Sequence, residues 1–326
     1  MIEKKEDSTQ LENVLKVVKE KKAKQFYFVA CGGSMATLEA AKYIFDRETE
    51  IPSHIYNSKE FMTRSPKALG KDSVVILCSH SGKTPETAEA ATFAIEKGAL
   101  TVAISNGIDS PLSKSAEHVI HYKWGDKVDA SEGLSGTLYQ IVFGILDIYT
   151  EDDKFKKAIL AINNLQNCIE LSKEKFSQAA LTFGKEYRRE SLMYTIASGG
   201  LYPEAYALTA CFLMEMQWIN SGSIHSGEYF HGPFEITDYD VPFMMLKSIG
   251  EARVMDDRAH KFLKNNSSKL TVIDAKEFNM EGLEEEFKPY FSHAIMTEVV
   301  KSYVEALADA RGHMMSVRRY MGRMEY

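Results

Sequence analysis

A single carboxylate lies within a long apolar stretch in the second half of the chain. Glu215 is the only formally charged side chain between Glu204 and Glu228, and its surroundings read ALTACFLMEMQWI. Burial in a helix of this composition disfavours the ionised carboxylate, which suits a group that exchanges protons near neutral pH. Alternatively, Glu215 lies on a helix face and pairs with a neighbouring subunit. The stretch indicates a candidate proton-transfer residue.

A histidine follows this carboxylate at a distance of sixteen residues. His231 precedes Gly232 and Pro233, and because proline cannot continue a helix, we expect this histidine to lie in a loop. Histidine exchanges its proton near physiological pH, so a loop histidine can serve as a general acid. It can equally be an ordinary surface residue, and the residues alone leave both interpretations open.

A metal site is a rival interpretation of the same segment. His225, Glu228 and His231 follow one another at three-residue intervals. The zinc-binding pattern HExxH instead places its histidines four residues apart on one helix, and Gly227 would interrupt such a helix. We therefore expect no metal here, and Glu228 is predicted to orient His231 or to hold its loop.

Hydroxyl groups cluster where apolar runs end in the first half of the chain. The segment CSHSGKTPET at 78–87 follows the run VVIL and precedes the helical stretch AEAATFAIEK, and an earlier loop reads GGS at 32–34. Hydroxyls and backbone N–H groups at a helix N-terminus favour an anion. We predict that a substrate phosphate binds Ser34, Ser79, Ser81 and Thr84. Further residues placed at the substrate in these loops are Gly33, His80 and Lys83.

These loops also admit two other interpretations. They can be ordinary helix caps, because Ser and Thr are common in that role. A nucleotide site is disfavoured, because the chain lacks GxxxxGK[ST] and because GGSMA and SGKT lack the GxGxxG spacing. The pattern therefore favours a sugar phosphate as the ligand, with no cofactor.

The elements that must position these groups repeat once along the chain. Strand-like segments match at nearly constant offsets of 167 to 170 residues: 25–40 with 192–207, 73–82 with 241–250, and 100–105 with 270–275. Such short apolar runs alternate with longer helical patterns, which is typical of parallel sheets with helices on both faces. The sequence predicts an α/β fold of two tandem flavodoxin-like domains related by a pseudo-twofold duplication.

The charge-rich stretch EDDKFKK at 151–157 marks the expected boundary between the two copies. We expect a first domain at 1–150, a helical linker at 151–190, a second domain at 191–312 and a tail at 313–326. Ligands of open parallel sheets bind at the carboxyl ends of the strands. The tail is predicted to fold over the active site. Its expected apolar anchors are Tyr320, Met321, Met324 and Tyr326.

Composition limits the class of partner. The chain has 326 residues, 44% of them hydrophobic, and a net charge of −7, which argues against nucleic acid as the main partner. Its first residues, MIEKKEDSTQ, lack the apolar core of a signal peptide, and no apolar run is long enough to span a membrane. The four cysteines include no CxxC pair. We expect a cytoplasmic protein that binds a small molecule.

Several of these motifs resemble those of the sugar isomerase (SIS) domain family. SHSGKTPET resembles the family's SxSGxTxxT loop, and FVACGGS resembles its first strand and serine. The duplicated architecture and HGP at 231–233 resemble the isomerase half of glucosamine-6-phosphate synthase. The strings MEMQWI and FHGPFEIT and the tail RRYM…EY most resemble bacterial deglycases that split phosphorylated Amadori compounds, above all the deglycase of the fructose-asparagine pathway. The resemblance covers essentially the whole chain.

The resemblance implies a reaction and roles for two residues. Glu215 would move a proton from C1 to C2 of the open-chain sugar, and His231 would open the ring or protonate an oxygen. In the synthase this histidine comes from the neighbouring subunit, so a homodimer or larger homo-oligomer with shared active sites is expected. The products would be glucose 6-phosphate and a free amino acid. The synthase's Schiff-base lysine has no counterpart in RRYMGRMEY, and a substrate that already carries its amine does not need one.

The sequence leaves open which amino acid is joined to the sugar, and it admits alternative functions. The candidate substrates are fructose-aspartate 6-phosphate and fructoselysine 6-phosphate. An acidic amino acid would be recognised by a cation, for which the candidates are Lys83, Arg253, Arg318 and Arg319. A glucosamine-6-phosphate deaminase or an aldose–ketose isomerase would use the same proton transfer. A non-enzymatic sugar-phosphate sensor is disfavoured, because the residues before the first strand are too few for a DNA-binding helix-turn-helix.

Overall fold

The computed structural model describes residues 2–150 and 152–325. The chain divides into two compact units, the first extending to Gln166 and the second beginning at Asn167. The segment expected as a helical linker contributes to both units, and its first residue, Glu151, lies outside the described residues.

The first unit alternates helices with strands. Its elements are α1 (Ile2–Lys21), β1 (Gln25–Ala30), α2 (Gly32–Glu48), β2 (Ser53–Asn57), α3 (Ser58–Arg64), β3 (Ser73–Cys78), α4 (Pro85–Glu96), β4 (Leu100–Ser105), α5 (Pro111–Ser115), β5 (His118–His121), α6 (Leu134–Thr150) and α7 (Lys154–Ala161). All strand pairings are parallel, in the order β2-β1-β3-β4-β5. This order reverses direction at β1 and β3, as in flavodoxin-like sheets, and loops after those two strands meet at one crevice.

Burial follows position in this sheet. Every residue of β3 and β4 is buried, whereas the edge strand β2 is half-buried or exposed. Central parallel strands are covered on both faces, which explains why SVVILC and LTVAIS read as continuous apolar runs. On one face, Tyr27, Phe61 and Leu77 pack against the alanine-rich side of α4. The close approach of that helix fixes where its N-terminus lies relative to the end of β3.

The second unit repeats this plan. Its elements are α8 (Leu165–Tyr187, most of which belongs to this unit), β6 (Leu192–Ala197), α9 (Tyr202–Ala207), a π-helix (Leu208–Met216), β7 (Asn220–His225), β8 (Phe243–Lys247), α10 (Arg253–Asn266), β9 (Leu270–Asp274) and α11 (Lys288–Arg311). The strands pair in parallel in the order β7-β6-β8-β9. Strands β6, β8 and β9 thus take the sheet positions of β1, β3 and β4. The prediction of two parallel α/β domains is confirmed.

The helices that pack on the second sheet bury large side chains. In α11, Tyr290, Phe291 and Tyr303 are almost fully buried. Gly312 ends this helix in the left-handed region, at φ +62°, where glycine avoids the strain that a Cβ atom would cause. Among the described residues, no helix is long and apolar enough to cross a membrane.

Candidate active site

The first unit brings together hydroxyl groups from the two crevice loops. Ser79 follows β3 and is buried, and its Oγ lies 3.0 Å from Oγ1 of Thr84 at the start of α4. Ser34, in the first turn of α2, hydrogen-bonds the thiol of Cys78, the last residue of β3. The predicted phosphate residues Ser34, Ser79 and Thr84 therefore meet at the carboxyl ends of β1 and β3. We call these residues the hydroxyl cluster.

These hydroxyls do not cap the helices at which they lie. Thr84 is the N-cap residue of α4 and Cys31 is that of α2, yet neither side chain makes a cap hydrogen bond. In addition, α2 has no acidic residue in its first turn. The first N–H groups of a helix have no intrahelical partner, and they carry partial positive charge. The alternative of ordinary helix caps therefore does not describe this cluster, whereas an anion would fit it.

The remaining residues of the 79–84 loop shape the backbone. Gly82 has φ +65°, and a Cβ atom on it would lie 2.0 Å from Oγ of Ser110, so a larger residue would displace the loop. The Ser81 hydroxyl accepts a hydrogen bond from the Lys83 N–H at 3.3 Å, and both side chains are exposed. Ser81 and Lys83 thus line the open side of the loop, while Ser79 and Thr84 lie deeper.

His80 is held by aromatic neighbours. Its Nδ1 lies 2.6 Å from the hydroxyl of Tyr122, and its ring contacts Trp124 edge-on at 4.6 Å. Desolvation by these groups lowers the pKa of His80. A neutral imidazole held in this way borders the loop as a hydrogen-bonding and stacking group rather than as a cation for phosphate.

Glu215 lies on a π-helix, which the sequence pattern did not predict. The helix α9 continues as a π-helix from Leu208 to Met216. At its end the N–H of Gln217 donates to the carbonyl of Phe212, five residues back. Long π-helices are rare, and π-type bulges occur often at functional sites because they reorient side chains. The next residue, Trp218, takes the left-handed conformation at φ +55°, which is unusual for a bulky side chain.

The carboxylate of Glu215 is paired with an arginine of the tail. Nε of Arg318 lies 2.8 Å from Oε1 of Glu215, and the side chains are 21% and 25% exposed. The same guanidinium donates from Nη1 to the carbonyls of Met315 and Val317, at 2.7 and 3.0 Å. The expectation that Glu215 is buried in a nearly all-apolar setting is therefore wrong, because Arg318 supplies an opposite charge and the carboxylate is partly accessible.

Polar and stacking contacts, rather than apolar anchors, hold the tail at this helix end. Gln217 Nε2 donates to the carbonyl of His313 at 3.0 Å, and the His313 ring contacts Trp218 edge-on. Arg319, predicted to lie at the substrate, stacks its guanidinium over the Trp218 ring at 4.2 Å. Among the expected anchors, Tyr326 lies outside the described residues. The other three are at least half exposed: Tyr320, Met321 and Met324. The expectation that these side chains anchor the tail by apolar packing is therefore wrong.

His231 lies in an exposed turn after β7. Its N–H donates to the carbonyl of Glu228 at 2.9 Å, and Gly232 follows with φ +129°, a conformation open to glycine. The turn is anchored by Tyr229, which is fully buried and hydrogen-bonds the Thr237 hydroxyl. The imidazole is therefore accessible on a fixed backbone.

The other polar residues of this turn hold its shape. Glu228 contacts His231 through its backbone carbonyl, and its own N–H donates to the carbonyl of His225. Nδ1 of His225 accepts a hydrogen bond from the Gly227 N–H at 3.1 Å, and its ring packs edge-on against Tyr202. Within residues 2–150 and 152–325, no group of three or more His, Cys, Asp or Glu side chains could hold a metal ion. The contacts of Glu228 in this turn are made by its backbone, so the role of its side chain stays a prediction.

Arg253 is not available to a substrate. It forms a two-point ion pair with Asp274 at the end of β9, with both Nη–Oδ distances at 2.6 Å and both side chains mostly buried. Bidentate arginine–carboxylate pairs are strong and fixed in direction. This finding removes Arg253 from the candidate cations for an acidic amino acid. Since Arg318 is likewise paired with Glu215, Arg319 and Lys83 are left.

A buried acid that the sequence analysis did not single out lies at Glu204. It is 2% exposed, and its Oε2 lies 2.7 Å from the Thr297 hydroxyl and 3.9 Å from Nε2 of buried His293. Burial raises the pKa of Glu204 to about 8 and lowers that of His293 to about 4. Both groups are therefore neutral in the folded protein at pH 7. The signal in the sequence is a charged residue in the apolar run GLYPEAYAL.

Glu204 should make stability fall as the pH rises. The unfolded chain releases this proton near pH 4.5, whereas the folded chain keeps it to about 8, so stability is lost across that window. His293 has the opposite effect, because its pKa is lowered on folding, so it makes stability rise with pH. This effect is confined to the range between its folded pKa of about 4 and its unfolded pKa of 6.5. From about pH 6.5 to 8 we therefore expect the free energy of unfolding to fall by up to about 1.4 kcal/mol per pH unit more than in Glu204→Gln.

Urea unfolding across this pH range measures the difference. Glu286→Gln, a change at an exposed carboxylate, should keep the slope of the unmodified protein. Equal slopes for Glu204→Gln and the unmodified protein would show that Glu204 is ionised in the folded state.

Comparison with known proteins places this site in a family. The SIS domain model matches residues 21–143, which contain the hydroxyl cluster. The fructosamine deglycase FrlB of Bacillus subtilis is 45% identical over 96% of this chain and 95% of its own. The fructoselysine 6-phosphate deglycase of Escherichia coli K12 is 29% identical over 91% of this chain and 85% of its own.

Solved structures agree on the fold over the whole length. A Bacillus subtilis crystal structure, of a protein assigned as a phosphosugar isomerase, has a TM-score of 0.96 and 44% identity, covering 98% of this chain and 97% of that one. The C-terminal domain of the Francisella tularensis glucosamine-fructose-6-phosphate aminotransferase has a TM-score of 0.79 at 18% identity, covering 93% and 88%, and supports the fold alone. The chain therefore belongs to the SIS-domain family, in the group that contains the Bacillus fructosamine deglycase.

Proposed function

We propose that this protein is a deglycase that converts a 6-phosphorylated fructose–amino acid and water into glucose 6-phosphate and the free amino acid. The observation that carries the proposal is the Glu215–Arg318 contact, which presents a partly accessible carboxylate on an otherwise apolar helix. The named activity of the deglycase relatives supports the same reaction class.

The reaction follows from the chemistry of an Amadori compound, which carries an amine on C1 and a carbonyl at C2. Glu215, as a general base, removes a proton from C1 and gives an enaminol. Protonation at C2 then leaves an imine at C1, and addition of water releases the amine and forms the aldehyde of glucose 6-phosphate. His231 opens the sugar ring and protonates an oxygen. Arg318 orients the carboxylate of Glu215 between these steps.

The hydroxyl cluster is the proposed site for the 6-phosphate. Its hydroxyls and the uncapped start of α4 supply hydrogen-bond donors to an anion. Lys83 on the open side of the loop adds a cation. The tail guanidinium group of Arg319 favours an amine that itself carries a carboxylate, as every amino acid does.

Ser79→Ala and Thr84→Ala should each weaken binding of glucose 6-phosphate by roughly 1.5–3 kcal/mol, because each removes a hydrogen bond to a charged group. Calorimetric titration measures the change. Ser110→Ala, which removes a buried hydroxyl from the supporting α5 cap, is a control for loss of loop shape. Unchanged binding in both Ser79→Ala and Thr84→Ala would place the phosphate elsewhere.

The proposal extends to assembly and location. We propose a cytoplasmic homodimer or larger homo-oligomer in which His231, exposed on its turn, acts in the active site of a neighbouring chain. The resemblance to the synthase carries this part of the proposal.

A substrate panel tests the activity. The panel holds the 6-phosphofructosyl derivatives of aspartate, asparagine and lysine, together with glucosamine 6-phosphate and fructose 6-phosphate. Glucose 6-phosphate release is the readout for the phosphofructosyl compounds and fructose 6-phosphate, and ammonia release is the readout for glucosamine 6-phosphate. We expect turnover of at least one phosphofructosyl amino acid. We expect no turnover of glucosamine 6-phosphate or fructose 6-phosphate. Turnover of glucosamine 6-phosphate or fructose 6-phosphate alone would identify a deaminase or an isomerase instead.

A further inference from the structure

The second unit also has serines directly after its strands, near the positions that carry the hydroxyl cluster in the first unit. In the repeat alignment Ser198 corresponds to Cys31 and Ser248 to His80. Ser198 follows β6, Ser226 follows β7 and Ser248 follows β8, so these serines end adjacent strands of one sheet. All are almost fully buried, at no more than 3% exposure. Strands β6 and β8 are the repeats of β1 and β3, whose following loops carry Ser34 and Ser79.

The chain's own carboxylate fills the space among these serines. Asp256, in the first turn of α10, is fully buried. Its Oδ1 accepts hydrogen bonds from the hydroxyls of Ser198 and Ser226 at 2.7 and 2.6 Å, and its Oδ2 accepts from the Ser248 N–H at 2.8 Å and from the Ser248 hydroxyl. Both oxygens are thus bound as an anion would be, by hydroxyls and a backbone N–H.

Neighbouring ion pairs close the rest of this sheet edge. Lys247, the last residue of β8, is 5% exposed and lies 2.7 Å from Asp257 and 3.7 Å from Asp274. Arg253 forms an ion pair with the same Asp274 carboxylate, at 2.6 Å. The mostly buried cations at this edge, Lys247 and Arg253, are therefore already paired within the chain.

We propose that the second unit contains an anion-binding cradle that is occupied by the carboxylate of Asp256. The unmodified chain then binds one phosphorylated sugar, at the first unit, and removal of the Asp256 carboxylate creates a second anion site. The first half of this inference rests on the proposed phosphate site of the hydroxyl cluster. The second half depends only on the contacts of Asp256.

Rescue by a small anion tests the occupied cradle. Asp256→Ala removes a group of the size and charge of formate, so its melting temperature should rise with sodium formate by several degrees more than that of the unmodified protein, with sodium chloride at equal ionic strength as the salt control. Asp256→Asn fills the same volume and should respond no more than the unmodified protein. If Asp256→Ala does not fold without added anion, refolding yield with formate against chloride gives the same comparison.

Calorimetric titration of the unmodified protein with glucose 6-phosphate supplies the second readout. We expect one site per chain, lost in Ser79→Ala/Thr84→Ala. Two sites per chain in the unmodified protein, or no formate-specific effect on Asp256→Ala, would overturn the occupied cradle. Absence of any glucose 6-phosphate binding would instead contradict the proposed phosphate site, and the formate comparison would still decide the role of Asp256.

Discussion

Glu215→Gln is expected to lower kcat by at least 10²- to 10⁴-fold while leaving substrate binding largely intact. Glutamine keeps the size of the side chain and can still accept a hydrogen bond from Arg318, but it cannot take a proton from C1. A group that acts in the transition state and contributes little to ground-state binding changes kcat far more than KM. Steady-state kinetics on the substrate identified by the panel, with binding measured separately by calorimetry, resolve the two effects.

The matched control is Glu235→Gln, an identical change at an exposed carboxylate shortly after the His231 turn. It should leave kcat and KM within about twofold of their original values, since an exposed side chain with no assigned role in the reaction contributes little to stability or turnover. Near-normal turnover by Glu215→Gln would leave the proposed mechanism without its base. A parallel loss in both variants would point to a general effect of charge.

His231→Ala should be the second severe variant, with a loss of roughly 10²- to 10⁴-fold in kcat, because it removes the group proposed for ring opening and oxygen protonation. The imidazole is exposed on a turn fixed by Tyr229 and Gly232, so its removal should leave the fold intact. A substrate analogue that cannot close its ring should recover part of the loss. Equal losses on ring-forming and open-chain substrates would limit His231 to oxygen protonation.

Mixing inactive subunits tests whether the histidine acts across chains. Hybrids of Glu215→Gln and His231→Ala chains should regain activity if a site takes its carboxylate from one chain and its histidine from another. In a dimer with two such sites, one site is restored and the other carries both lesions. Mixtures that remain inactive after verified subunit exchange would place both residues of each site on a single chain.

The strands could be predicted where they are central in their sheets. β3, β4 and β8 are buried throughout and read as apolar runs, so they stand out in the sequence. β7, with the sequence NSGSIH, is an edge strand with few apolar residues, and no such run marks it. Its place in the sheet comes from pairing with β6, which is a tertiary effect.

The site could be predicted in part for similar reasons. The hydroxyls of Ser34, Ser79 and Thr84 follow predicted strands, so their convergence follows from the geometry of parallel sheets. The ion pair of Glu215 joins residues more than one hundred positions apart, and the π-helix around it has no composition signal that separates it from an α-helix. The burial of Asp256 depends on serines from loops that follow separate strands, and an acidic residue early in a helix is ordinary in sequence.

The central claim is that the C1–N bond is split through proton transfer from C1 to C2 rather than by direct displacement. A 6-phosphofructosyl amino acid carrying deuterium at both C1 positions distinguishes the two routes in one NMR spectrum of the products. The proposed route removes one deuteron from C1, so it predicts glucose 6-phosphate with a single deuteron at C1. Formation of fructose 6-phosphate with both deuterons still on C1 would contradict the account, because that product arises without any proton transfer by Glu215.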